Sequence, residues 1–240
     1  MADNIGNKAA HDYHLDIAPV QEGFYVKGAA HCDWGMKNRL SRLFDPKSGN
    51  TVMLAFDHGY IMGATAGLER MDVTIAPLCR YADVLMATRG AIRSCIPPTV
   101  HNAICLRATH DASVLIDDMS TGNGVGADME AAIRMNASAV AIQCFIGGAG
   151  EARSLETLCR AVDAGERYGI PVLGVTAVGK EMARTTQYFL LATRMLAELG
   201  ASFVKTYYCD DFEKVVAACP VPIVIAGGKK LPEDEALTMA

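Results

Sequence analysis

The 240-residue sequence lacks several things, and each absence narrows what the chain can be. No apolar run approaches the ~18–20 residues a helix needs to cross a bilayer, so no membrane association is expected. The opening residues, Met1-Ala-Asp-Asn-Ile-Gly-Asn-Lys8, have no basic stretch followed by an apolar one, so no secretory signal is expected either. No basic block or stripe offsets a net charge of -5, which argues against a nucleic-acid partner. Eight cysteines are present, but none forms a Cys-x-x-Cys pair. Several sit in apolar contexts such as Ala103-Ile-Cys-Leu106, and they read as free thiols packed as small hydrophobes in a reducing cytoplasm. His11 and His14 have no accompanying cluster of carboxylates or thiols, so no metal site is expected.

What remains is a chain with 51% hydrophobic and 20% charged residues, enough to build one large soluble domain. Residues 1–31 are polar and read as an extended arm of the kind that contacts another subunit. Trp34, Met36, Leu40 and Leu43 recur at helical spacing, and the turn cluster Asp45-Pro-Lys-Ser-Gly-Asn50 ends that helix. Residues 1–50 are thus an arm and a capping helix, and 51–240 form the main domain.

Within 51–240, strands alternate with helices. Strands are predicted over 51–56, 83–88, 103–109, 139–146, 171–176, 203–208 and 221–226. Helices are predicted over 67–80, 128–135, 151–168, 186–199 and 211–218, with another opening at Pro232. The stretch Thr121-Gly-Asn-Gly-Val-Gly126 reads as a flexible loop. Alternation of this kind implies right-handed βαβ units and a parallel sheet. A doubly wound sheet would carry a glycine fingerprint after its first strand, but Asp57-His-Gly-Tyr60 stands there, so a TIM (β/α)8 barrel is expected. Seven strands are counted where such a barrel has eight, so either the chain is truncated or another chain closes the sheet.

Barrel chemistry sits at the C-terminal strand ends, and the polar residues Asp57, His58, Arg89, Arg107, Gln143, Thr176, Lys205 and Tyr207 fall there. The sixth strand is the most informative. Phe203, Lys205 and Tyr207 share one of its faces, so an ammonium is carried into an apolar strand. Burial lowers the pKa of such an amine and makes it a candidate Schiff-base nucleophile; the bland alternative is a buried ion pair. Asp57 ends the first strand on the same face as Met53 and Ala55, and is expected to approach Lys205 across the barrel mouth as a proton shuttle. His58 is either a second acid/base group or a cap for the loop. Gly227 and Gly228 end the seventh strand and could bring backbone N–H groups to a phosphate, with Lys229 adding charge; otherwise they make a simple turn. Gly174-Val-Thr-Ala-Val-Gly-Lys-Glu181 only imitates a nucleotide-binding loop, since Glu181 replaces the required Ser or Thr and Gly174 lies inside a strand.

Four stretches carry a resemblance: Leu54-Ala-Phe-Asp-His-Gly-Tyr60, Ala82-Asp-Val-Leu-Met-Ala-Thr-Arg-Gly90, Val204-Lys-Thr-Tyr-Tyr208 and Pro222-Ile-Val-Ile-Ala-Gly-Gly-Lys-Lys-Leu-Pro232. With Asp33-Trp-Gly-Met36 and the segment 161–165, they resemble the DeoC/DhnA-type (archaeal-type class I) aldolase family over about 27–240. The resemblance implies a TIM barrel in a ring-built homo-oligomer, with a decamer as one size. It also implies that the chain is truncated, with the last strand and helix of the barrel missing. Lys205 matches the family's active lysine, Asp57 its strand-one acid, and Gly227 and Gly228 its first phosphate loop. Aldolase members carry aromatic residues at the end of strand five, where this chain reads Val175-Thr-Ala-Val178. That departure points to the family's thiolase branch. There, an acetyl group passes from a phosphorylated pentanedione, formed in autoinducer-2 breakdown, to coenzyme A as co-substrate, with no bound cofactor. The products are acetyl-CoA and dihydroxyacetone phosphate. The alternatives are a Schiff-base aldolase acting on a phosphorylated sugar and an inactive truncated remnant. A cytoplasmic enzyme follows from either of the active readings.

Overall fold

The computed structural model describes residues 23–177, 184–227 and 232–239. Seven strands form one parallel sheet: β1 (Met53–Ala55), β2 (Val84–Ala87), β3 (Ala103–Arg107), β4 (Ala139–Cys144), β5 (Val172–Thr176), β6 (Phe203–Tyr207) and β7 (Ile223–Ala226). They are hydrogen-bonded in chain order, and every pairing is parallel. The intervening helices are α2 (Gly59–Met62), α3 (Met71–Thr74), α4 (Arg89–Cys95), α5 (Met129–Arg134), α6 (Glu151–Tyr168), α7 (Thr186–Glu198) and α8 (Phe212–Ala218), with α1 (Trp34–Leu43) before the sheet and α9 (Glu233–Met239) after it.

The sheet is strongly curled. β2 and β6 are four strand spacings apart, about 19 Å if the sheet were flat. Yet Lys205 Nζ on β6 lies 3.5 Å from Met86 Sδ on β2. Only a barrel-like curvature brings these positions together, so this is a TIM-barrel fold of which the described chain supplies seven strands. The outer edges of β1 and β7 have no strand partner among the described residues.

Period-two alternation sorts the strand residues into two layers. Val84, Met86, Cys105, Ala141, Leu173 and Phe203 point inward and share a core with α1. Leu85, Leu106, Ile142, Val172 and Val204 point outward and pack with the surrounding helices. Both faces are therefore covered, which is why these strands read as continuous apolar runs.

The helix α1 closes the bottom of the barrel. Asp33 caps it by accepting from the Met36 N–H at 2.7 Å, and Leu40, Leu43 and Phe44 are buried beneath the strands. The Phe44 and Phe203 rings meet edge-on at 5.5 Å.

Three expectations need correction. Residues 67–80 do not make one helix; they form α3 and then a 3-10 segment (Ala76–Tyr81). Pro77 lies at the start of that segment and has no N–H to continue an α-helical ladder from α3. The 121–126 stretch is not simply a loop. Gly124–Val125 pairs antiparallel with Thr109–His110, and a Cβ at Gly122 would strike the backbone of Ala112. Nor is all of the polar arm extended away from the domain. Val26 and Ala29 are buried against α1, and Gly28 lies where a Cβ would sit 2.7 Å from the Pro220 carbonyl oxygen. The remainder of the arm, residues 1–22, lies outside the described residues, as does the glycine-lysine stretch 179–181.

Candidate active site

A cavity of about 610 Å³ opens at the C-terminal ends of the strands. Residues from every strand line it, from Ala55 on β1 to Ala226 on β7. Of the residues singled out in the sequence, Asp57, His58, Lys205 and Gly227 all border this cavity. Gly228 and Lys229 lie outside the described residues.

Lys205 is half-buried, and its ammonium nitrogen has one partner among the described residues, the Met86 thioether. A thioether is a weak acceptor that returns little of the solvation an ammonium loses. Burial accordingly lowers the Lys205 pKa; Asp57 and Cys105 oppose the shift and Arg107 reinforces it. Cys105 faces the same interior, and burial pushes its thiol up to about 12, so it stays protonated.

Asp57 does not pair with Lys205. It is taken by Arg107, whose Nη1 donates to Asp57 Oδ2 at 2.8 Å. The expected Asp57–Lys205 contact is not formed because Arg107 on β3, with a long and permanently charged side chain, holds the carboxylate instead. The same observation removes the bland reading of Lys205, that of an amine tied up in an ion pair with that acid.

Arg107 is the hub of the site, although sequence reasoning placed it only at a strand end. Its guanidinium also pairs with Asp111 at 2.7 Å, donates to the Tyr60 hydroxyl at 3.0 Å and donates to Gln143 Oε1. Tyr60 in turn donates to Asp111, and Asn123 donates to Asp111 at 2.8 Å and to the Gln143 carbonyl at 3.0 Å. Burial disfavours the guanidinium charge, but Asp57, Tyr60 and Asp111 outweigh it and the Arg107 pKa is raised. Burial, with Asp111 adding to it, likewise raises the Tyr60 pKa, against the pull of Arg107. The partners lie 4 to 50 residues from Arg107 in sequence, so no local motif announces them.

His58 sits at the N-terminus of α2, half-buried at the cavity edge. Its carbonyl accepts from the Ile61 and Met62 N–H groups, both at 3.1 Å, but its ring caps nothing. The imidazole is therefore left at the cavity wall. Val175, Thr176 and Ala177 line the cavity where β5 ends. Among the described residues, no cluster of three or more His, Cys, Asp or Glu side chains could hold a metal ion, and no helix is long and apolar enough to cross a membrane.

The arrangement thus offers an amine of lowered pKa, two buried carboxylates held by one guanidinium and a roomy cavity at the catalytic end of a barrel. Over the whole of this chain and 82% of its own length, a 3-hydroxy-5-phosphonooxypentane-2,4-dione thiolase from Salmonella typhimurium strain LT2 is 51% identical. The enzyme of that name from Escherichia coli O139:H28 and an uncharacterized aldolase from Pasteurella multocida match over the same shares at 51% identity. Among solved structures, a Schiff-base-forming fructose-1,6-bisphosphate aldolase superposes with a TM-score of 0.74, covering 85% of each chain at 22% identity, which establishes the fold. The DeoC/LacD family aldolase model matches residues 51–240, the whole of the sheet and its helices. This chain belongs to the DeoC/LacD aldolase family.

Proposed function

We propose that this chain is a thiolase that transfers the acetyl group of 3-hydroxy-5-phosphonooxypentane-2,4-dione to coenzyme A. The observation that carries the reading is the Lys205 amine, held in a cavity without a carboxylate partner among the described residues. An amine of lowered pKa is nucleophilic near neutral pH. It condenses with the carbonyl nearest the phosphate, releasing water and leaving a protonated imine. The coenzyme A thiolate then adds to the acetyl carbonyl. The bond between that carbon and the hydroxyl-bearing carbon breaks, and its electron pair passes into the imine to give an enamine. Protonation of the enamine carbon and hydrolysis release dihydroxyacetone phosphate and restore the amine. Asp57, held by Arg107, or His58 moves the protons. Gly227 lies at the cavity edge and, with Gly228 and Lys229 after it, would receive the phosphate. The 51% identity to proteins named as this thiolase supports the assignment. So does the Val175-Thr176-Ala177 wall, which brings no aromatic group to the end of β5. A cytoplasmic, ring-built homo-oligomer belongs to the same proposal.

The second reading, a class I aldolase on a phosphorylated sugar, uses the same amine and rests on the family match. Product analysis separates the two. With the phosphorylated pentanedione and coenzyme A, acetyl-CoA and dihydroxyacetone phosphate form in equal amounts. Release of an aldehyde with dihydroxyacetone phosphate from a sugar phosphate, and no acetyl-CoA, would favour the aldolase.

A further inference from the structure

Gln143 lies on β4 with both of its backbone groups held by side chains. Its N–H donates to Thr109 Oγ1 at 3.2 Å, and its carbonyl accepts from Asn123 at 3.0 Å. Its side-chain oxygen faces the guanidinium of Arg107. That guanidinium has five N–H donors and no acceptor. The amide of Gln143 can therefore present only its oxygen to Arg107, because the flipped orientation would set donors against donors. Arg107 cannot turn away, since Asp57, Asp111 and Tyr60 hold its two terminal nitrogens. The amide nitrogen is thus directed to the other side. Nε2 has no partner among the described residues, yet it is not one of the buried unpartnered atoms, and Gln143 lines the cavity. Two N–H donors are presented there with their orientation already set.

The register places these donors relative to Lys205. Gln143 is paired with Val175 on β5, and Val175 with Lys205 on β6. The two polar side chains stand at one level of the barrel, two strands apart, about 10 Å between backbones. A substrate carbon joined to Lys205 lies in the cavity that both side chains line.

We propose that Gln143 is a substrate-binding group whose amide N–H donates to the hydroxyl oxygen on the carbon next to the one joined to Lys205. The assignment of that neighbouring carbon rests on the amine reading above. Such a site selects for a hydroxyl at this position, because a ligand without it leaves oriented donors unpaired. Arg107 acts on specificity through Gln143, as the positioning residue that fixes which end of the amide is offered.

Two probes differ by this one oxygen: dihydroxyacetone phosphate and acetol phosphate, which has a methyl group in place of the hydroxymethyl. Their affinities are measured by calorimetry on the wild-type chain, on Gln143→Leu and on Gln143→Met. The Met variant keeps the length of the side chain and a weak thioether acceptor against Arg107 if the Leu variant fails to fold. Wild type is expected to prefer dihydroxyacetone phosphate by about 10- to 100-fold, and both variants to narrow the ratio to about 3-fold or less while binding acetol phosphate as before. A wild type with no preference, or variants that retain it, would overturn the inference. Borohydride reduction of the same mixtures reports on the amine separately. Loss of the Lys205 adduct with the preference intact would end the Schiff-base reading and leave Gln143 as a binding group. An adduct without any preference would do the reverse.

Discussion

Lys205 and Arg107 are both cations on inward-facing strand positions, and their surroundings treat them in opposite ways. Arg107 is enclosed by two carboxylates and keeps its charge; Lys205 faces a thioether and tends to lose its charge. With its folded pKa below the ordinary 10.5, Lys205 binds less proton in the folded than in the unfolded chain between those two values. Wild-type stability therefore rises with pH through that window, and below it folding carries the cost of a buried charge. Lys205→Met is expected to be more stable than wild type at neutral pH, with a margin that narrows as pH approaches 10.5, as read by urea unfolding across pH. Arg107→Met has the opposite consequence, because it strands Asp57 and Asp111 in a buried pocket. It is expected to cost about 3–5 kcal/mol in urea unfolding, most of it recovered when Asp57→Asn and Asp111→Asn are added. A loss undiminished in the triple variant would mean that the carboxylates are not what Arg107 balances. The candidate lysine and acid could be read from the sequence because alternation and strand position are local signals. The pairing of Asp57 with Arg107 could not, because it joins chain positions 50 apart through barrel curvature.

At the scale of elements, amphipathic spacing located α1, α6 and α7 well, since each buries one continuous stripe against the sheet or under it. It failed over 67–80, where Pro77 breaks the backbone ladder although the apolar spacing continues. Close approaches are invisible to periodicity as well. Gly165 lies inside α6, where alanine would ordinarily add about 1 kcal/mol to helix stability. A Cβ there would lie 2.6 Å from the Ile170 carbonyl oxygen and 2.9 Å from Val172 Cγ2. The contact is with backbone and a packed strand residue, so the clash outweighs the propensity. Gly165→Ala is expected to destabilise by about 1–3 kcal/mol in chemical denaturation. A gain in stability would show that α6 can lift from β5 at little cost.

Over the whole molecule, the parallel α/β order and the barrel were legible because each strand is covered on both faces and each polar end falls at one rim. What the sequence could not display was how far the sheet curls, which the Lys205–Met86 contact across four strand spacings reveals. That curvature makes a single cavity out of residues drawn from all seven strands, and it places the amine among groups that bear on it from three of them: Met86, Cys105 and Arg107, and Asp57 after β1. Whether this amine is the covalent centre is decided by borohydride reduction of the chain with the phosphorylated pentanedione, followed by peptide mass mapping. One reduced adduct is expected, on the peptide that carries Lys205, and neither adduct nor turnover in Lys205→Met. An adduct on another lysine, or undiminished turnover in that variant, would contradict that role for Lys205.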